Sequence, residues 1–165
     1  MPDGLTRLTD YGNDLLASVR DEVQNKPLTK FGPANASGRL VRELRVQVSE
    51  TATGYRLELY APTYVLTLIY GRKPGKFPPL LAIEEWIQEK GIVPHPDAKG
   101  RTPSVKSLAY LIGRKIAQKG NTIWQQGTPS TLFGDTLNTE LVAKDLAKLL
   151  LPVFVDEVRT VLRAS

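Results

Sequence analysis

Between residues 44 and 60 the chain alternates twice. Leu44, Val46 and Val48 fall at every second position against Arg45, Gln47 and Ser49. After a short polar turn ending at Gly54, Tyr55, Leu57 and Leu59 alternate with Arg56, Glu58 and Tyr60. Successive side chains of a strand point to opposite faces, so two such runs joined by a turn make an antiparallel hairpin with one apolar face. That face has to be covered. The flanking sequence offers helices for the purpose, so an α+β fold is expected, a small antiparallel hairpin sheet packed against several α-helices. The partners expected for Leu44, Val46, Val48, Leu57 and Leu59 are the helices that carry Ile83, Ile87, Leu108 and Ile112.

The helices are read from period and punctuation. Leu5, Leu8, Leu15, Leu16, Val19 and Val23 share one face at 100° per residue, with Asp10, Asp14 and Asp21 opposite, which predicts a helix over residues 5–24. Residues 25–38 are rich in turn formers and read as a loop. Pro79 opens a helix running to Lys90, and Gly91 then fits the left-handed position after its end, with Ile92 folding back on Ile87. Thr102 and Pro103 are the expected cap and first residue of the next helix, which turns Val105, Leu108, Ile112 and Ile116 inward and ends at Lys119 and Gly120. A last helix begins near Thr139 with Val142, Leu146, Leu149 and Leu150 on one face. Beyond Pro152 the apolar set Phe154, Val158, Val161 and Leu162 lies rotated by about 140° at 100° per residue. A kink or a break near Pro152 is expected, with the second piece packing on a different surface. Residues 61–70 suit either a strand, by their β-branched and aromatic content, or a helix opened by Pro62.

A chain of 165 residues fits one domain, organised as an N-terminal helix and loop (1–35), a core (36–140) and a C-terminal helix broken near Pro152 (139–165). With 41% apolar and 24% charged residues it has the composition of a globular protein. There is no cysteine, which excludes disulfides, thiolate metal sites and a cysteine nucleophile. The single histidine, His95, lies between two prolines, so no histidine pair can hold a metal, and a Ser-His-Asp triad would have to use this one residue. Glu84 and Glu85 are adjacent on a helix and diverge by about 100°, too far apart to share a proton. No glycine-rich phosphate loop occurs. No basic and apolar leader opens the sequence, and no apolar run approaches the roughly 20 residues of a membrane span. The expectation is a soluble, non-catalytic protein with no cofactor, metal, membrane or small-molecule substrate.

Charge is uneven. Residues 71–120 hold ten Lys or Arg against four Asp or Glu, and the rest of the chain is nearly balanced. Such a stretch is either a solvated face or a surface for nucleic acid or an acidic protein rim. Within it stand Arg101, Lys106, Arg114, Lys115 and Lys119, and the loop GRKPGKFP, which carries Arg72, Lys73 and Lys76 beside Phe77. Trp86, amid Ile83 and Ile87, reads as core or core edge. Trp124 lies in a Gly/Pro/Ser/Thr-rich segment, where it either anchors that segment on its own domain or inserts into a neighbour.

Four pieces, in this order, resemble the neck and tail-completion proteins of tailed bacteriophages, a group that includes the minor tail proteins of the Z type. ASGRLVRELRVQV is similar to that family's glycine, basic residue and leucine leading into a strand. APTYVLTLIYGRKPGKFPPLLAIEEWIQEKGI is similar to its tyrosine-containing short helix, Tyr-Gly turn, proline-rich loop and Pro-Pro-x-x-x-Ile-x-x-Trp-Ile helix. SLAYLIGRKIAQKGN resembles the next family helix, and GTPSTLFGDTLN the loop before the last. The likeness covers residues 36–140 and favours the helix over the strand for residues 61–70. Leu68 stands where many members carry an acid, and residues 93–102 and the tail after Pro152 have no counterpart. The resemblance implies a structural subunit of a homo-oligomeric ring at the head–tail junction of a virion, present in the host cytoplasm during assembly. Its partners would be other neck and tail proteins, with a non-specific contact to passing DNA. Arg72, Lys73, Lys76, Phe77, Trp124 and Phe133 are then the candidate interface or DNA-facing residues. The alternative class is a basic nucleic-acid-binding protein.

Overall fold

The computed structural model describes residues 3–29, 32, 33, 35–134 and 136–164. Its elements follow the order α1 (Gly4–Asn25), β1 (Pro27–Thr29), β2 (Gly32–Pro33), α2 (Arg39–Glu43), β3 (Arg45–Thr51), β4 (Gly54–Tyr60), α3 (Val65–Tyr70), α4 (Leu80–Glu89), α5 (Val105–Lys119), α6 (Thr122–Gln126) and α7 (Thr139–Ala164). The fold is α+β, with two small antiparallel two-stranded sheets packed against helices.

β3 and β4 pair with Val46 opposite Leu59 and Val48 opposite Leu57, so the apolar side chains share one face as the alternation requires. The cover for that face is α1, not α4 and α5. A side chain on Gly12 would come 3.1 Å from Leu57 Cδ1 and 3.4 Å from Val46 Cγ2, so the bare backbone of α1 lies directly on the hairpin. Leu44 is buried as expected but precedes the strand, closing α2. The Arg20 guanidinium of α1 donates to the Leu44 carbonyl at 2.8 Å, tying these two elements together.

Among the described residues there are therefore two apolar clusters. The larger gathers Val19, Val23, Leu40, Leu44, Val65, Leu132 and Phe133 beneath α1 and the hairpin. The smaller is built by α4 and α5 on each other, around Ile83, Ile87 and Ala109, with Leu80, Trp86, Val105, Leu108 and Ile112 packed against it. Because the apolar faces of α4 and α5 satisfy each other, neither is left to cover the sheet. The Lys90 ammonium at the end of α4 donates to the Pro33 carbonyl of β2 at 2.7 Å, and within the larger cluster the Ser130 N–H and hydroxyl donate to Ile69 O and Leu68 O at the end of α3.

Asp3, which the helical periodicity did not single out, caps α1 by accepting from the Thr6 N–H at 2.7 Å. At the end of α4, Gly91 (φ +60°) allows its own N–H to reach Gln88 O and the Ile92 N–H to reach Ile87 O, the paired bonds of a Schellman ending. Residues 61–70 hold a helix. Three expectations change. The segment 25–38 holds the β1–β2 ladder and ends at the start of α2, so it is not wholly loop. The cap of α5 is Ser104, which accepts from the Ser107 N–H at 3.2 Å; Thr102 and Pro103 lie just before it.

The third change is at Pro152, where α7 runs through without a break. Proline removes one helical hydrogen bond, and the neighbouring turns hold the helix together where packing supports it. α7 packs on α1, and its Val142, Leu146, Leu149, Leu150 and Val153 are half-buried. Phe154 lies 6.4 Å from the Tyr55 ring, while Val158 and Leu162 are exposed; the side chain of Val161 lies outside the described set.

Candidate functional site

The loop of residues 71–78 is fixed to its own subunit. The Gly75 N–H donates to Ala117 O in the last turns of α5 at 2.8 Å. Asn121 clasps the other side. Its N–H donates to Arg72 O at 2.9 Å, and its Oδ1 accepts from the Arg72 N–H at 2.9 Å and from the Trp124 N–H at 3.0 Å. One side chain thus caps α6 and closes the loop. Phe77 stacks on Tyr110 with ring centroids 5.7 Å apart. It can lie flat on α5 because position 113 is glycine: a Cβ there would stand 2.7 Å from the ring. Asn121→Ala should remove about 1–3 kcal/mol by losing a cap and orphaning the Arg72 N–H. Amide exchange at Arg72 and Gly75 should then accelerate while that of α1 stays unchanged, which hydrogen-exchange mass spectrometry reads directly.

Around this frame the cations point outward. On α5, Lys106, Tyr110 and Arg114 follow at spacings of four, with Leu111 and Lys115 beside them and Lys119 at the end. No acidic residue occurs in α5 or in residues 71–79. Among the described residues, Lys73, Lys76, Lys106, Arg114, Lys115 and Lys119 have no carboxylate within ion-pair distance. Arg72 turns its guanidinium to the Lys76 carbonyl at 3.0 Å. Tyr110 (50% exposed), Leu111 (47%), Trp124 (45%) and Phe77 (38%) put apolar surface among these charges. The indole of Trp124 rests against the bare Cα of Gly120. Trp124 is therefore held by its own subunit and still presents half its surface.

Two candidates leave the set. Phe133 is 7% exposed and part of the larger apolar cluster, so it is a core residue, held at φ +65°. Arg101 is committed to Asp97: its guanidinium donates to Asp97 Oδ2 at 3.1 and 3.2 Å, and its N–H to Oδ1 at 2.9 Å. The Arg101 backbone N–H, more than its side chain, holds the Asp97 carboxyl below the usual carboxylate range. His95 is exposed, and among the described residues no three His, Cys, Asp or Glu side chains stand close enough to hold a metal ion.

Comparisons with protein families, curated proteins and solved structures find no match.

What the charge count could not find is Tyr110 as the aromatic centre of the face. The signal was present, since four-residue spacing from Lys106 and to Arg114 puts all three on one line. Glu22 is also new. Its side chain is 8% exposed and accepts from the Phe133 N–H at 3.0 Å, the Thr136 hydroxyl at 2.6 Å and the Lys26 ammonium at 2.9 Å. Beside it an open cleft of about 740 Å³, lined by Ala17, Ser18, Asp21, Asn25 and Thr136, runs along the outer side of α1. Chemically, the basic face offers unpaired cations and flat apolar groups on a fixed frame, the equipment of a macromolecular contact.

Proposed function

We propose that this protein is a non-catalytic connector subunit, a neck or tail-completion component that joins head to tail in a tailed bacteriophage by ring assembly. One observation carries the reading. The segment that most resembles the family, residues 70–92, contributes exposed Tyr70, Phe77 and Leu81 and builds the basic and aromatic face with α5 and α6. A connector acts through its outer surface, and the exposure of these residues supports that reading. No helix among the described residues is long and apolar enough to cross a membrane, in keeping with assembly from the host cytoplasm. Cryo-electron microscopy of particles carrying a tagged copy should place the tag at the head–tail junction, and deleting the gene should leave heads and tails unjoined. Joined particles lacking the chain would overturn the proposal.

The unpaired cations also favour a second reading, binding to the nucleic-acid backbone. Phosphate contacts give a steep fall of affinity with salt, with a log–log slope of about −0.9 per contact on duplex DNA. A titration of DNA with the purified chain distinguishes the two readings.

A further inference from the structure

We infer that the basic face of α5 docks on the acidic outer face of α1 in a second copy of the same chain, head to tail. This rests on the connector reading and names the partner of that face. α1 buries Leu8, Val19 and Val23 and turns Asp10, Asp14 and Asp21 outward, all three within 40° on the helix. Among the described residues none of the three forms an ion pair; Asp21 accepts only from Asn25, at 2.7 Å. Asp145 of α7 is exposed beside α1, close enough for its charge to act on Tyr11. A shallow, open depression along Ala17 and Asp21 lies on this face.

The two faces fit in length and sign. Asp10 to Asp21 spans about 16 Å at 1.5 Å per residue; Lys106, Tyr110 and Arg114 lie within about 80° of one another over about 12 Å of α5, with Lys115 farther round the helix. They cannot meet within one chain, because α1 packs on the hairpin, α2 and α7 while α5 packs on α4. A different surface on each side of the contact makes it heterologous, the kind that closes a ring when the rotation allows. Leu111 argues for protein over nucleic acid, since exposed aliphatic surface beside cations adds nothing to phosphate binding and suits a protein contact.

A charge exchange on the purified full chain at low salt tests this, read by sedimentation velocity. Lys106→Glu/Arg114→Glu/Lys115→Glu and Asp10→Lys/Asp14→Lys/Asp21→Lys should each weaken self-association about tenfold or more, like charges now facing each other. All six side chains face solvent, so circular dichroism should stay that of the wild type. Mixing the two variants one to one should restore association, because each reversed face then meets its complement. Weak contacts are caught by cysteines, which the native chain lacks. A chain carrying both Ala17→Cys and Leu111→Cys should give a disulfide ladder, whereas either change alone stops at dimers. A double variant that also stops at dimers, or a mixture that does not recover, overturns the pairing. So does loss of binding to a short DNA duplex by the lysine-and-arginine variant with self-association unchanged, which assigns the face to nucleic acid. These readouts use the isolated chain. A failed pairing therefore leaves a tag at the head–tail junction untouched, and a tag absent from the junction leaves the pairing standing.

Discussion

Val19→Asp should abolish cooperative folding. Val19 is wholly buried at the centre of the larger cluster, among Val23, Leu40, Leu44 and Val65. No cation lies in that set, so an aspartate there would be an unpaired charge or a neutral acid with an unmet hydrogen bond. An uncompensated buried charge is destabilising by about 3–5 kcal/mol, and the lost packing adds to it. A domain of this size has roughly 5–15 kcal/mol in total, so the change consumes most or all of its stability. Leu81→Asp is the matched control, because Leu81 is 67% exposed on α4. The measurement is thermal melting by circular dichroism: a sharp transition within a few degrees of wild type for Val19→Asp would show that α1 is not seated on this core. Gly12→Leu asks the same of the hairpin. It should destabilise by about 1–3 kcal/mol through overpacking on Leu57 and Val46, and would do nothing if α4 and α5 covered the sheet instead.

What was legible in the sequence was whatever a few consecutive residues decide. The hairpin register follows from period two, and the end of α4 follows from Gly91 and Ile92, because the bonds that make them are local. Partner choice is not local. Val46 and Leu57 advertise an apolar face, but three helices offer a matching one, and both α1 (Gly12) and α5 (Gly113) have a bare glycine that allows close approach. Pro152 announces a disturbance of the helix but not whether the helix ends there, because α7 also packs on α1, more than a hundred positions away. At the candidate site the cations were legible by count and their commitments were not. Arg101 and Lys106 look alike in the sequence, yet one folds back on Asp97 and the other is free of any carboxylate among the described residues. Phe133 shows the limit most clearly. A glycine- and proline-rich neighbourhood reads as exposed loop, and nothing near it in sequence announces the carboxylate that draws it inward.

That carboxylate is Glu22, and its removal is the second large effect expected. Glu22 Oε1 accepts from the Phe133 N–H and the Lys26 ammonium, and Oε2 from the Thr136 hydroxyl, closing a loop of 111 residues onto α1. Phe133 sits at φ +65°, where a side chain costs about 1–2 kcal/mol relative to ordinary helical backbone. The bond to Glu22 and the burial of the ring together hold it there. Glu22→Ala should leave the Phe133 N–H unpaired, a loss of about 1–3 kcal/mol, and let the strained turn relax away from the core. For a chain of this length each kcal/mol moves the melting temperature by about 2–4 °C. A fall of that order is expected, with amides of residues 131–137 exchanging faster than those of β3 and β4. Glu22→Gln separates the causes, since it keeps an acceptor for Phe133 and discards the charge facing Lys26. It should retain most of the stability, because the Lys26 ammonium also donates to Thr131 O at 2.9 Å and is not stranded. Equal losses in the two variants would mean that the ion pair, not the backbone bond, holds the turn. No loss in Glu22→Ala would mean that Phe133 is kept inside by its ring alone.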